Sequence, residues 1–201
     1  MSIRTVCAAI AAIIVASPVA LRAQDAGADF AKARQQFVAG QPRPAAQTLL
    51  VASLHVRQEV GRSKDEVVGM RLLDAEGQLE KMAAGIRTGA VSSVKTLDQS
   101  LSRIDRLLAQ HHLQLASAVI AKPHDNELPM VARDVDRAAF HFERSITLDG
   151  HALAADQTAA VTDARALAKE IEGSKSLPKT AATVVAALER LVVGTTVVAV
   201  K

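Results

Sequence analysis

Residues 94–118 read VKTLDQSLSRIDRLLAQHHLQLASA, and this stretch decides the fold class. Its apolar residues recur at alternating intervals of three and four positions, which keeps them on one side of an α-helix and is typical of helix-on-helix packing. The repeating positions are Val94, Leu97, Leu101, Ile104, Leu108, His111, Leu115 and Ala118. A seam of this length predicts a long helix that packs one face against other helices.

Three other segments repeat this spacing. Apolar residues form one run at 68, 72, 75, 79, 82 and 86, a second at 131, 135, 138 and 142, and a third at 181, 184, 188 and 191. Aromatic residues make up only 2% of the chain, whereas the strands of a β-sandwich are enriched in aromatic and β-branched residues. The sequence therefore predicts an all-α fold, an antiparallel bundle of six to seven helices built from helical hairpins.

Turn-forming residues set the predicted helix boundaries. Gly40, Gly89 and Gly150 mark helix ends, and Ser63 with Glu66 three residues later has the capping-box pattern of a helix start. The short links between these marks favour antiparallel neighbours. The predicted helices cover residues 26–39, 43–60, 64–87, 92–121, 127–148, 154–172 and 179–193.

Two parts of this pattern leave alternatives open. The hairpin from Ala33 through Gly40 to Ala52 resembles a tetratricopeptide hairpin in its alternation of Ala and large apolar residues. A short array of such hairpins is therefore the alternative to a bundle, although the segment lacks the Trp and Tyr of that repeat. The apolar tail at 195–200 either frays, extends the last helix past Gly194, or lies extended along the bundle.

The first 23 residues have the pattern of a secretory signal peptide. Arg4 precedes an apolar run over residues 6–16, Pro18 interrupts the helix, and Ala23 is the small residue before the predicted cleavage. The run is shorter than the roughly 20 residues that a membrane-spanning helix needs. Residues 24–201 are then expected to form a single mature helical domain without a transmembrane span, located in the periplasm or secreted.

Cleavage also changes the charge and the cysteine content. It removes Arg4 and Arg22 but no acid, so the 24 basic residues fall to 22 against 21 acidic ones, and it removes Cys7, the sole cysteine. Near-neutral charge, with no basic stripe and no stacking aromatics, argues against nucleic-acid binding. The loss of Cys7 excludes a disulfide, a thiolate nucleophile and a cysteine metal site in the mature chain.

Histidines are the candidates for chemistry. His111 occupies a seam position, His112 points about 100° away around the helix, and His141 lies between Phe140 and Phe142. A buried imidazole can be an axial haem ligand or can bind a divalent transition metal, so these three histidines are the candidate metal ligands. The alternative is a histidine tolerated in the core, for which His111→Leu would keep or raise thermal stability.

Other polar patterns are assigned to the solvated surface or to chance. His55 and Glu59 have the spacing that can hold a divalent ion on a helix, but they are interpreted as a solvated surface pair. Asp134 and Asp136 lie two apart, diverge on a helix and are interpreted as solvated surface charges. Glycines recur every eight residues around the third helix, either by chance or to form a groove for close helix approach. They are Gly61, Gly69, Gly77 and Gly85.

Motifs for catalysis are missing from the sequence. No Glu lies three residues before a histidine as in di-iron bundles, and there is no Gly-x-Ser-x-Gly elbow, phosphate loop or His-Glu-x-x-His. We therefore expect a non-enzymatic exported protein, without a cofactor, that acts by self-association or by binding another envelope protein. The alternative is a helical bundle that uses its histidines to bind a small ligand, haem or a transition metal.

Overall fold

Seven α-helices account for most of the chain. The computed structural model describes residues 26–174 and 176–198, and these form no β-strand, which confirms the predicted all-α fold. The predicted signal peptide lies outside the described residues. The helices are α1 Ala26–Val38, α2 Pro42–Arg62, α3 Glu66–Thr88, α4 Val94–Ala121, α5 Leu128–Leu148, α6 Ala155–Gly173 and α7 Ala181–Val198, with a 3-10 turn at Asp125–Glu127.

The longest helix, α4, is shared by two groups of four helices. In the first group α1 packs on α2, α2 on α3, and both α1 and α3 on α4. In the second group α4 packs on α5, α5 on α6, α6 on α7, and α7 returns to α4. In a tetratricopeptide array each repeat contacts only its neighbours. The return contacts to α4 therefore identify a bundle and not an array.

The apolar core is divided in the same way. One cluster belongs to the first group and receives residues 97–108 of α4, and the other belongs to the second group and receives residues 109–119. The predicted seam is buried from Leu97 to His111, but Leu115 is half-buried and Ala118 is exposed. The prediction for the end of the seam is wrong, because the buried face turns to Leu113, Ala116 and Val119 where α4 enters the second group.

The helix ends follow local backbone chemistry. Gly40, Gly89 and Gly150 have φ values of 70°, 78° and 81°, a left-handed conformation that only glycine adopts readily, so the predicted turns are confirmed. The capping box predicted at Ser63 is wrong, because α2 continues to Arg62 and Ser63 is its C-cap. Asp65 caps α3 instead, with its side chain accepting a hydrogen bond from the Val68 amide at 3.1 Å.

At the C-terminal end, α7 continues through Gly194 to Val198. Helix extension is therefore the correct alternative for the tail as far as residue 198, and residues 199–201 lie outside the described part. Within the described ranges, no helix is both long and apolar enough to span a bilayer.

The four regularly spaced glycines have no common role. A Cβ at Gly61 or Gly77 would meet nothing within 4 Å, and one at Gly69 would make an ordinary contact with Ser63. A Cβ at Gly85, by contrast, would lie 2.7 Å from Val91 Cγ2. Gly85 thus allows the α3–α4 link to fold back on α3, and its carbonyl accepts the Val91 amide.

Candidate functional site

A layer of buried polar side chains lies where α4 passes from one helix group to the other. His111 and His112 stand between Leu108, which belongs to the first core cluster, and Leu113, which belongs to the second. Both imidazoles are almost fully buried, as is that of His141 on α5. Because buried polar groups destabilise a fold unless they are hydrogen-bonded, the partners of these rings define the site.

Each of four histidines faces one carboxylate from another helix. In three of these pairs a ring N–H donates a hydrogen bond to a carboxylate oxygen, whereas His55 and Asp29 lie within ion-pair distance without the geometry of a hydrogen bond. Three pairs use the ring Nδ1 atom and the His111 pair uses Nε2. The nitrogen–oxygen distances are 2.8 Å for His55–Asp29, 3.1 Å for His111–Glu59, 3.0 Å for His112–Asp134 and 2.8 Å for His141–Asp105. These pairs tie α1 to α2, α2 to α4, and α4 to α5.

Arginines connect the histidine–carboxylate pairs across the two helix groups. Arg62 of α2 donates through Nη2 to both oxygens of Asp134 on α5, each at 2.8 Å, and through Nη1 to Glu59 at 2.8 Å. Arg137 of α5 contacts Glu59 from the other side at 3.4 Å. Side chains of α2 and α5 therefore meet over α4, in a charged layer that separates the two apolar clusters.

Arg144 closes the layer near the start of α1. Its guanidinium donates to both oxygens of Asp105 and to the Gly27 carbonyl oxygen. It also lies over the rings of Phe30 and Phe140, with the guanidinium carbon 4.9 Å and 5.4 Å from the ring centroids. A Cβ at position 27 would overlap the Phe140 ring, so glycine is needed for α1 to approach α5 this closely.

A cavity of about 370 Å³ opens beside this layer, between α2, α4, α5 and the start of α1. Its size falls within the range of small-molecule sites, about 300–1,000 Å³. Most of the residues that line it are polar or charged, and three of them are paired histidines. The described residues that line it are Ala26, His55, Gln58, Glu59, Arg62, Leu108, His112, Arg133, Arg137 and His141.

A larger and more open depression of about 940 Å³ lies between the start of α4 and the α5–α6 turn. Three of its charged side chains serve the packing of the helices: Asp98 accepts two hydrogen bonds from Arg34, and Arg106 pairs with Asp149. It lacks the convergence of histidines and arginines seen in the smaller cavity, which is therefore the candidate site.

The buried charges shift the pKa values of the groups around the cavity. Burial would raise the pKa of Glu59, but the hydrogen bond from His111 and the neighbouring positive charges outweigh it and lower that pKa from 4.5 to about 2. Burial would likewise raise the pKa of Asp134, yet its hydrogen bond from His112 and its contact with Arg62 bring it below 3.8. Both carboxylates are ionised at pH 7.

The pKa of His112 shifts in the opposite direction to that of an exposed histidine beside an acid. Burial lowers its pKa below 6.5, and the hydrogen bond to Asp134 offsets this effect only in part. The ring is therefore neutral at pH 7, with Nδ1–H donating to Asp134, which leaves Nε2 as the nitrogen able to accept a hydrogen bond or to bind a metal.

The structure brings together the three histidines predicted as metal ligands. The His111 and His112 ring centroids are 5.4 Å apart, and those of His112 and His141 are 5.7 Å apart with nearly parallel planes. Across the described residues, however, no three side chains of His, Cys, Asp or Glu converge as a metal site. The metal or haem role of His111, His112 and His141 stays a prediction.

Two surface assignments from the sequence were wrong. His55 and Glu59 do not form a solvated pair, because His55 faces Asp29 of α1 and Glu59 faces His111 of α4. Asp134, expected at the solvated surface, is also buried and paired with His112, whereas Asp136 is exposed as expected. Spacing along one helix did not reveal that a third helix covers these positions.

Several residues of the site were not singled out from the sequence, among them Arg62, Asp105, Arg137 and Arg144. A signal for them exists, because polar residues repeat at intervals of three and four as the apolar seams do. On α2 the repeat is His55, Glu59 and Arg62, and on α5 it is Asp134, Arg137, His141 and Arg144.

Within the described residues, fold and site together define a helical bundle with a buried histidine–carboxylate–arginine layer beside a polar cavity. No protein-family model, no curated protein and no solved structure matches the chain. The arrangement of these side chains is thus the basis for any functional proposal.

The hydrogen bond from His111 to Glu59 predicts the stability of a His111→Leu variant. Leu fills the space but leaves an ionised, buried Glu59 without this donor, so we expect the free energy of unfolding to fall by about 1–3 kcal/mol, contrary to the outcome for a merely tolerated core histidine. Urea unfolding monitored by circular dichroism measures it. His124→Leu, at an exposed position, should change it by less than about 0.5 kcal/mol. Unchanged stability of His111→Leu would contradict the role of this bond.

Acidification should destabilise the protein in two pH ranges. The pKa of His112 is 6.5 in the unfolded chain and lower in the folded state, so below pH 6.5 the unfolded chain binds a proton more readily. The pKa of Glu59 is 4.5 in the unfolded chain and about 2 in the folded state, so the same holds for Glu59 between pH 4.5 and about pH 2. Stability contributed by both groups is therefore present at pH 7 and lost as the pH falls, by up to about 3 kcal/mol for Glu59. Unfolding free energies measured between pH 7 and pH 3 should decrease with a smaller slope in Glu59→Gln than in the exposed control Glu172→Gln. Equal slopes would show that Glu59 is not held ionised.

Proposed function

We propose that this chain is an exported, non-enzymatic helical bundle that binds a small ligand in the cavity between α1, α2, α4 and α5. The observation that carries this proposal is the convergence of three arginines and three histidines on a space of about 370 Å³. Ion pairs from neighbouring helices hold most of these side chains in place, so the site is preorganised, which lowers the entropic cost of binding.

Two buried hydroxyl groups on α4 and α5 are bonded to the main chain, which supports a binding role over a catalytic one. Ser102 and Ser145 are buried, and each donates its hydroxyl proton to a main-chain carbonyl oxygen, Ser102 to Ser145 and Ser145 to Phe142. Neither is bonded to an imidazole that would activate it as a nucleophile. Export is supported by the signal-peptide pattern of residues 1–23, and mass spectrometry of protein from the periplasm should find Gln24 as the first residue.

A tryptophan placed at the rim of the cavity tests ligand binding. The chain contains no Trp and no Tyr, so one indole gives an isolated fluorescence signal. Gln58 is exposed and lines the cavity, whereas Gln78 is exposed on α3. We expect at least one small carboxylate, phosphate, sugar or amine to change the emission of Gln58→Trp and to leave that of Gln78→Trp unaltered.

The same variants test the metal and haem alternative. Haemin and divalent transition-metal salts belong in the panel, together with a visible absorption spectrum and elemental analysis of protein isolated from the periplasm. A Soret band or stoichiometric metal would assign the histidines as ligands. No response of Gln58→Trp to any compound, with a blank spectrum and no metal, would contradict a ligand-binding function.

A second candidate function is self-association through the outer faces of α2 and α3. Leu54 is 57% exposed and Met70 is 56% exposed, and they belong to a set of five exposed apolar side chains on these two helices. Large exposed apolar patches are typical of interaction surfaces, and α2 and α3, which carry these side chains, pack on each other. The set consists of Val51, Leu54, Val67, Met70 and Leu73.

Sedimentation velocity tests this second candidate. A double Leu54→Lys/Met70→Lys variant places two charges on the proposed interface and should raise the dissociation constant of a dimer at least about tenfold. The control is Val193→Lys, an exposed apolar position on α7. A protein that remains monomeric at high concentration before any substitution would exclude self-association.

A further inference from the structure

We propose that the ligand of this cavity is a small oxyanion, a carboxylate or phosphate that also carries a hydroxyl group or an acidic proton. The inference rests on the proposed ligand-binding function and names the chemical class of the ligand. Arg133 and Arg137 hold the oxyanion at the rim of the cavity, and His112 accepts a hydrogen bond from its proton.

The charge of the cavity wall favours an anion. Among the described residues that line it, Arg62, Arg133 and Arg137 carry positive charge and Glu59 is the single carboxylate. Glu59 itself is held by His111 and Arg62, so a ligand has no need to supply its counter-ion. Asp134 offsets the charge of Arg62 and Glu59 offsets that of Arg137, so Arg133 is the guanidinium that remains to attract an anion.

In this proposal the two arginines of α5 bind the oxyanion. Arg133 and Arg137 are four residues apart, so they project from the same face of the helix one turn apart. Arg62 is fixed by its paired contacts with Asp134. Arg133 is exposed and, among the described residues, has no carboxylate within ion-pair distance. Guanidinium groups bind carboxylates and phosphates through paired, charge-assisted hydrogen bonds, which suits Arg133 to an incoming oxyanion.

The histidines that line the cavity also require the ligand to carry a hydrogen-bond donor. His112 turns Nδ1 towards Asp134, and His55 turns Nδ1 towards Asp29. With Nδ1–H donating to Asp134, the neutral His112 ring has its lone pair at Nε2, and this ring lines the cavity. A ligand group that meets Nε2 must therefore donate, as the hydroxyl of a hydroxy acid or the proton of hydrogen phosphate does.

Titration of the purified protein with four probes tests this class. The probes are inorganic phosphate, malate, succinate and neutral glycerol, at about 0.15 M ionic strength to suppress long-range attraction. Histidine ring resonances report the site by NMR. We expect phosphate and malate to shift the His112 and His55 signals, succinate to bind at least about tenfold more weakly than malate because it lacks the hydroxyl, and glycerol to have no effect.

Substitution of Arg133 separates this inference from the proposed function. Arg133→Gln should weaken phosphate and malate binding about ten- to a hundredfold, while Arg71→Gln, an exposed arginine on α3, leaves it unchanged. Unaltered affinity in Arg133→Gln, or equal binding of malate and succinate, would overturn the inference. If glycerol alone shifted the histidine signals, the oxyanion inference would be overturned but the cavity would still bind a ligand. If none of the four probes shifted these signals and the fluorescence of Gln58→Trp did not change, the oxyanion inference and the ligand-binding function would both be overturned.

Discussion

The rest of the structure depends on the pairing of carboxylates that α2, α4 and α5 bury between two apolar clusters. A desolvated carboxylate costs several kcal/mol unless charged donors surround it. Glu59 and Asp134 meet this condition through Arg62 and one histidine each. A shift of one helix by a single residue would break these bonds together, so the charged layer fixes how the two helix groups are aligned.

Such a layer is a poor means of stabilising a bundle. Well-packed apolar residues of similar volume are often as stable as a buried ion pair, or more so. An apolar interface in place of the four histidine–carboxylate pairs and three arginines would therefore make the bundle at least as stable. Together with the cavity that several of them line, this supports a role in binding, because a site must keep polar groups desolvated and oriented before its ligand arrives.

The sequence predicts the helices well and the site only in part, and α5 shows why. The apolar repeat of Val131, Val135, Ala138 and Phe142 is buried as expected. The polar repeat beside it, Asp134 to Arg144, has the same spacing, and spacing alone gives the angle of a residue around its helix but not the helix that faces it. Because α4 serves two groups, side chains of α2 reach the polar side of α5, where a simple four-helix bundle would have solvent.

The sharing of α4 also determines the order in which the chain can fold during synthesis. The first three helices are complete at residue 88, yet their core still lacks the wall that residues 97–108 supply. Part of the apolar surface of α1, α2 and α3 therefore stays exposed until α4 has been synthesised. The second group needs the same helix to complete its core. A cleavage on either side of α4 would leave one of the two fragments, α1–α3 or α5–α7, without the helix that completes its core.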